Sequence, residues 1–198
     1  MFAYCNNSPL NYVDHSGYRM VATSAEMMGG FPYIFDQTSA SIGDKPLGSS
    51  SIAHGGCGVV ATYNTLIDLG TAQLFDNVLA YYNEKPMSRL TLDGWLGILP
   101  TVVAQYFIEQ NYRVIMTDDC DAIDIHSKTA DACIMYYMFT NSDLPIPFGA
   151  HYISYKKTDN GYVGRNTSDN NGKGYFTYPS DYGYRGSRFY SIGIFIYK

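Results

Sequence analysis

Charge is scarce in this chain. Among 198 residues there are 18 Asp and Glu against 13 Lys and Arg, a net charge of −5. A protein that tracks phosphates needs a basic stripe. Pairs such as Lys156-Lys157 are too small to make one, so nucleic-acid binding is excluded. Cysteine is scarce too. The four cysteines, at 5, 57, 120 and 133, form no CxxC pair and no His/Cys cluster at zinc spacing. This argues against a zinc site and against a disulfide framework. It predicts free thiols and a cytoplasmic working environment, with no metal and no cofactor. No apolar run approaches the about 18 consecutive residues of a membrane span. The start, Met1-Phe2-Ala3-Tyr4-Cys5-Asn6, has neither a basic n-region nor an apolar h-region, so no signal peptide is expected.

What is present points to an ordinary globular core. Apolar residues make up 46% of the chain, and the length suits one domain. Tyrosine, with 20 copies, offers apolar area and one hydroxyl each, which suits a β-rich interior with a polar surface. Residues 21–50 are punctuated by Gly29-Gly30, Pro32, Pro46 and Gly48 and read as a linker or an irregular wrap, with Phe31, Tyr33, Ile34 and Phe35 packed on the domain. Residues 57–69, 72–83 and 99–110 carry apolar side chains at helical spacing. Gly70 is a stop for the first, Pro100 suits the first turn of the third, and Asn111 suits a left-handed cap. Strands are expected at 112–116, 132–139, 150–155, 162–166, 174–178 and 189–197, with a hairpin turn at Thr158-Asp159-Asn160-Gly161. Helices first and antiparallel strands last predict an α+β fold with segregated layers. The acidic run Asp118, Asp119, Asp121 and Asp124 reads as a helix N-terminus rather than a cation site.

The chemistry centres on Cys57. It follows His54-Gly55-Gly56 and opens a helix, where the positive end of the dipole favours a thiolate. It is therefore expected to be the most reactive of the four thiols. Its own amide, unpaired at the helix start, can serve as an oxyanion donor. His151 begins a strand whose hairpin partner ends at Asn166, so the two come near each other at the open end. A thiol, an imidazole and an orienting carboxamide make a nucleophile, base and third member. The Cys57 sulfur is expected within about 4 Å of a His151 ring nitrogen, with the Asn166 side chain nearest the other nitrogen.

Two resemblances add to this. The run Gly56-Cys57-Gly58-Val59-Val60-Ala61-Thr62-Tyr63-Asn64 resembles the nucleophile helix of bacterial papain-like cysteine peptidases, nearest those that process bacteriocin leaders. Gly149-Ala150-His151-Tyr152-Ile153 is similar to that group's histidine strand, and Asn166 falls where the group has Asp or Asn. The resemblance spans about 50–198 and implies a helical layer, carrying the Cys helix, packed on a C-terminal antiparallel sheet. It also implies a Cys57-His151-Asn166 triad. The glutamine that papain-like enzymes carry six residues before the nucleophile is replaced here by Ser51. Ser51 and His54 are the candidate oxyanion donors, and Gln37 is a third that would have to fold back. Separately, Tyr4, Asn6-Asn7, Pro9, Asp14 and Gly17 resemble the end of the Rhs/YD-repeat core of bacterial polymorphic toxins, with His15 in place of the usual Pro.

Together these imply three parts: the end of an Rhs-like core at 1–20, a linker or wrapping segment at 21–50, and a papain-like domain at 51–198. They imply a toxin domain delivered to a competitor cell, acting as a thiol peptidase on a protein or peptide, with a cognate immunity protein as partner. The same triad serves a glutamine deamidase or a transglutaminase, and a catalytically weak protein-binding module is the non-enzymatic alternative.

Overall fold

The computed structural model of the chain describes residues 12–13, 21–22, 27–28, 31–94, 96–140, 148–167, 172–183 and 188–198. The Rhs-like stretch, with Cys5 and His15, lies outside the described residues except for 12–13. Short paired strands come first: β1 (Tyr12–Val13) with β2 (Val21–Ala22), β3 (Met27–Met28) with β4 (Phe31–Pro32), and β5 (Pro46–Leu47) with β6 (Ser50–Ser51). A helical stretch follows, made of α1 (Ile52–Gly55), α2 (Cys57–Asp68), α3 (Phe75–Glu84), α4 (Pro86–Arg89) and α5 (Pro100–Glu109). The rest is β7 (Arg113–Thr117), α6 (Cys120–Thr129), β8 (Ala132–Thr140), β9 (Phe148–Thr158), β10 (Gly161–Arg165), β11 (Lys173–Phe176), α7 (Ser180–Gly183) and β12 (Arg188–Tyr197). The fold is α+β. Its sheet has six strands in the order β11-β10-β9-β8-β12-β7, every neighbouring pair antiparallel.

Local chemistry accounts for the helix ends. Gly70 adopts φ +73, so Gly70 N–H donates to the Ile67 carbonyl and Thr71 N–H to the Leu66 carbonyl, closing α2. Asn111, at φ +66, closes α5 in the same way, through Ile108 and Phe107. Asp119 caps α6 by accepting from the Ala122 amide, which gives the acidic run a structural job. The Asp159-Asn160 turn joins β9 to β10, with Gly161 paired to Thr158 and in the left-handed region.

The sheet buries both faces. One face packs on α2 and α5, with α3 packed on α2, through a core that includes Val59, Val60, Leu66, Val103, Phe107, Ile134 and Tyr152. The other packs Met135, Tyr137, Ile153, Tyr155 and Phe195 against Ile123 of α6. That second cover explains why β8 reads as a continuous apolar run rather than an alternating one. α2 is buried on all sides from Cys57 to Ile67, so it is the central element of the helical layer.

Residues 31–37 are pinned to this core by polar side chains. The Asn64 carboxamide accepts from the Ile34 amide (2.8 Å) and donates to the Ile34 carbonyl (2.7 Å), imitating a strand partner. The Tyr33 hydroxyl donates to Asp68 (2.7 Å). Phe31, Ile34 and Phe35 are partly buried against the core. Between α4 and α5, Leu90 and Ile98 form an isolated bridge, and Leu92, Asp93 and Gly94 are all at positive φ. Gly94 and Ile98 abut the Cys helix: a methyl group on Gly55 would stand 2.4 Å from the Gly94 carbonyl, and one on Gly58 3.2 Å from Ile98. The glycines around Cys57 are thus spaces that these residues fill. Among the described residues no helix is long and apolar enough to cross a membrane.

Candidate active site

Cys57 is the first residue of α2, with Gly56 before it as the cap residue and no side-chain cap. It is 8% exposed and belongs to the helical-side core. Burial pushes its thiol up to about 11, against hydrogen bonds from the backbone amides of Tyr152, Gly58 and Cys57 itself, which pull the other way. The expectation of a thiol activated by the helix start alone meets a stronger opposing effect. Desolvation outweighs the amides, so at neutral pH the lone thiol holds its proton. Cys133 is buried and pushed up by desolvation. Cys120 is exposed and raised by desolvation and then by Asp119 and the other nearby carboxylates.

The amide that reaches Cys57 from across the fold belongs to Tyr152, the residue after His151. β10 stops pairing with β9 at Arg165–Ser154, so this end of β9 is open on that side. Tyr152 itself turns toward α2: its hydroxyl donates to the Ile98 carbonyl (2.7 Å) and its ring lies against Gly58. His151 pairs with Tyr137 and so leaves the sheet on the face of Ile153 and Tyr155. Its ring turns to the end of β10, where Nε2 hydrogen-bonds the Asn166 carbonyl oxygen. A carbonyl only accepts, so Nε2 carries the hydrogen in this contact. The link between thiol and imidazole is the Tyr152 amide, which reaches the sulfur from the residue after His151, while the Cys57 and His151 side chains start from opposite faces of the sheet.

Asn166 holds the histidine differently from the expectation. Its backbone carbonyl, not its carboxamide, accepts from the ring. The reason is its left-handed backbone, φ +65, which asparagine tolerates better than most residues. The turn swings the carbonyl to His151 and the side chain to Gln37. Gln37 N–H donates to Asn166 Oδ1 (3.2 Å), and Asn166 Nδ2 donates to Gln37 Oε1 (3.0 Å). Gln37 Nε2 donates to the Ala53 carbonyl (3.1 Å), in α1 just ahead of Cys57. So Gln37 lies by the site, with one amide hydrogen spent on Ala53.

Of the other oxyanion candidates, Ser51 precedes α1 in an extended conformation and makes no capping hydrogen bond. His54 is an exposed residue of α1. The donors that do address the sulfur are main-chain amides. Tyr136 was not singled out from the sequence. Its ring lies 4.9 Å from that of Tyr152, and burial and then Cys57 raise its hydroxyl. It stands directly opposite Tyr152 in the β8–β9 pairing. One residue before Asn166, Arg165 makes a two-pronged contact with Asp68 (2.7 and 3.2 Å) and stacks on Tyr33 at 3.7 Å. Among the described residues no group of three or more His, Cys, Asp or Glu is placed to hold a metal ion. A polar cavity of about 380 Å³ opens elsewhere, lined by Tyr81, Lys85, Arg89 and Glu109. It shares no residue with the Cys57 site. No protein-family model matches the chain, and no curated protein matches it in sequence.

Proposed function

We propose that the chain is a papain-like thiol hydrolase, the peptidase domain of an Rhs-type polymorphic toxin. The observation that carries this reading is the approach of Cys57, at the start of a buried helix, to the peptide that follows an imidazole oriented through Nε2. His151 Nδ1 takes the Cys57 proton, and the sulfur attacks an amide carbonyl. The carbonyl π pair moves to oxygen, which main-chain amides at the start of α2 receive. The C–N bond then breaks as the imidazolium gives its proton to the leaving amine, and a thioester remains. Water, deprotonated by Nδ1, hydrolyses it and frees the thiol. The substrate is a protein or peptide. The Rhs-like stretch ahead of the domain supports delivery to a competitor cell, and a producer then needs an immunity protein to block the site.

One observation favours a second reading. The same burial that raises the Cys57 thiol suits a catalytically weak papain-like module that binds protein. Expression in a naive bacterial cytosol separates the two. The wild type is expected to slow growth and Cys57→Ala is not. Intact-mass analysis of host proteins then tells peptide cleavage from glutamine deamidation, which proceeds through the same thioester. Equal harmlessness of both forms across several hosts would leave the binding module as the better account.

A further inference from the structure

Two segments from different layers must be held in register for a thiol and an imidazole to react. One is the approach to Cys57 through α1, and the other is the end of β10 that holds His151. A single side chain bridges them. Gln37 donates from Nε2 to the Ala53 carbonyl at 3.1 Å, and its Oε1 accepts from Asn166 Nδ2 at 3.0 Å. Its backbone amide also donates to Asn166 Oδ1 at 3.2 Å, so both ends of the Asn166 carboxamide are engaged by one residue. Asn166 is 4% exposed and left-handed, and its carbonyl is the group that accepts from His151 Nε2. A left-handed peptide at a residue with a side chain persists only where its surroundings fix it. Here the fixing contacts come from Gln37, which Asn64 and Tyr33 hold in place by anchoring the preceding residues.

We propose that Gln37 is a positioning residue for the Cys57–His151 pair, acting on the imidazole through the Asn166 carbonyl and on the nucleophile through Ala53. This rests on the thiol-hydrolase reading. Gln37 touches neither reacting group. A carboxamide performs both halves of the bridge, because its amino end donates to a carbonyl while its oxygen accepts from an amide. The role differs from that of an oxyanion donor, since the Nε2 contact is made to the protein's own backbone.

The test is the pH profile of Cys57 alkylation by iodoacetamide, followed by peptide mapping, in the wild type, His151→Ala, Gln37→Ala and Gln37→Met. The methionine keeps the side chain's length and removes only its polar bonds, so it guards against a folding defect in the alanine variant. Two limbs are expected in the wild type: one near neutrality that needs His151, and one at high pH from the bare thiolate. Both Gln37 variants are expected to lower the neutral limb about tenfold, the low end of what loss of the outer-shell partner of a metal-bound histidine costs, and to leave the high-pH limb unchanged. A defect of folding would expose the thiol and raise both limbs instead. An unchanged neutral limb in both Gln37 variants, with that limb lost in His151→Ala, would overturn the proposal and spare the pairing. A wild-type profile identical to that of His151→Ala would overturn the pairing and the proposal with it.

Discussion

Replacing His151 by alanine is expected to slow alkylation of Cys57 at neutral pH by about 10³-fold, within the range a positioned general base supplies. The argument runs from the burial of the thiol. Desolvation raises it from 9.0 to about 11, so below that pH the protonated form dominates and the nucleophile is almost absent. Reaction near neutrality therefore requires a group that takes the proton. His151 is the residue next to the amide that reaches the sulfur, its Nε2 is engaged by the Asn166 carbonyl, and in the proposed reaction Nδ1 is the base. Without it, the rate should rise with a single midpoint near 11, set by the thiol alone. The measurement is the alkylation rate against pH, mapped to Cys57 and compared with exposed Cys120 in the same sample. Equal rates for wild type and His151→Ala at neutral pH would mean that the imidazole does not serve the thiol.

Arg165→Met is expected to destabilise the fold by about 3–5 kcal/mol, the cost of leaving one partner of a buried ion pair alone. The side chains of Arg165 and Asp68 are each 4% exposed, and the closer contact is 2.7 Å. Without the guanidinium, Asp68 keeps the Tyr33 hydroxyl at 2.7 Å and Lys156 only at 4.0 Å. The cost arises from a stranded carboxylate rather than from loss of a favourable pair. Pairing Arg165→Met with Asp68→Asn should therefore recover most of it. Urea unfolding of the two variants measures this. A loss below about 1 kcal/mol in the single variant would place the pair among weak, solvated surface bridges. Arg165 immediately precedes Asn166, so the single variant also loosens the end of β10 that holds the histidine.

The elements whose chemistry is local were legible in the sequence. The 57–69 periodicity with Gly70 after it became α2, Asn111 took the left-handed cap, and the Asp-Asn-Gly turn made the β9–β10 hairpin. The α+β class with an antiparallel sheet was legible for the same reason, whereas α6, set between β7 and β8 and packed on the second face, breaks the expected order of helices first and strands last. What escaped depends on contacts between distant segments. Nothing local marks Leu92 and Asp93 for positive φ. Their loop is shaped by packing on Gly55, Gly58 and Leu47. At the site, the proximity of His151 and Asn166 followed from hairpin arithmetic. Which atom of Asn166 faces the ring did not, because it turns on a backbone angle fixed by Gln37, 129 residues away in the chain. The raised Cys57 thiol was hidden for the same reason: a helix start is visible in sequence, whereas the burial that outweighs it is a property of the whole core.

The most direct test of the central claim is acylation by an activated ester, p-nitrophenyl acetate, followed by rapid mixing at neutral pH. A thiol hydrolase with Cys57 as nucleophile and His151 as base should release one equivalent of p-nitrophenolate in a burst. The acetyl group should then map to Cys57 as a thioester. Cys57→Ala should show no burst, and His151→Ala should show one slowed by orders of magnitude. A slow, linear release that is the same in the wild type and in Cys57→Ala, or acetyl groups on Cys120 with Cys57 untouched, would contradict the account.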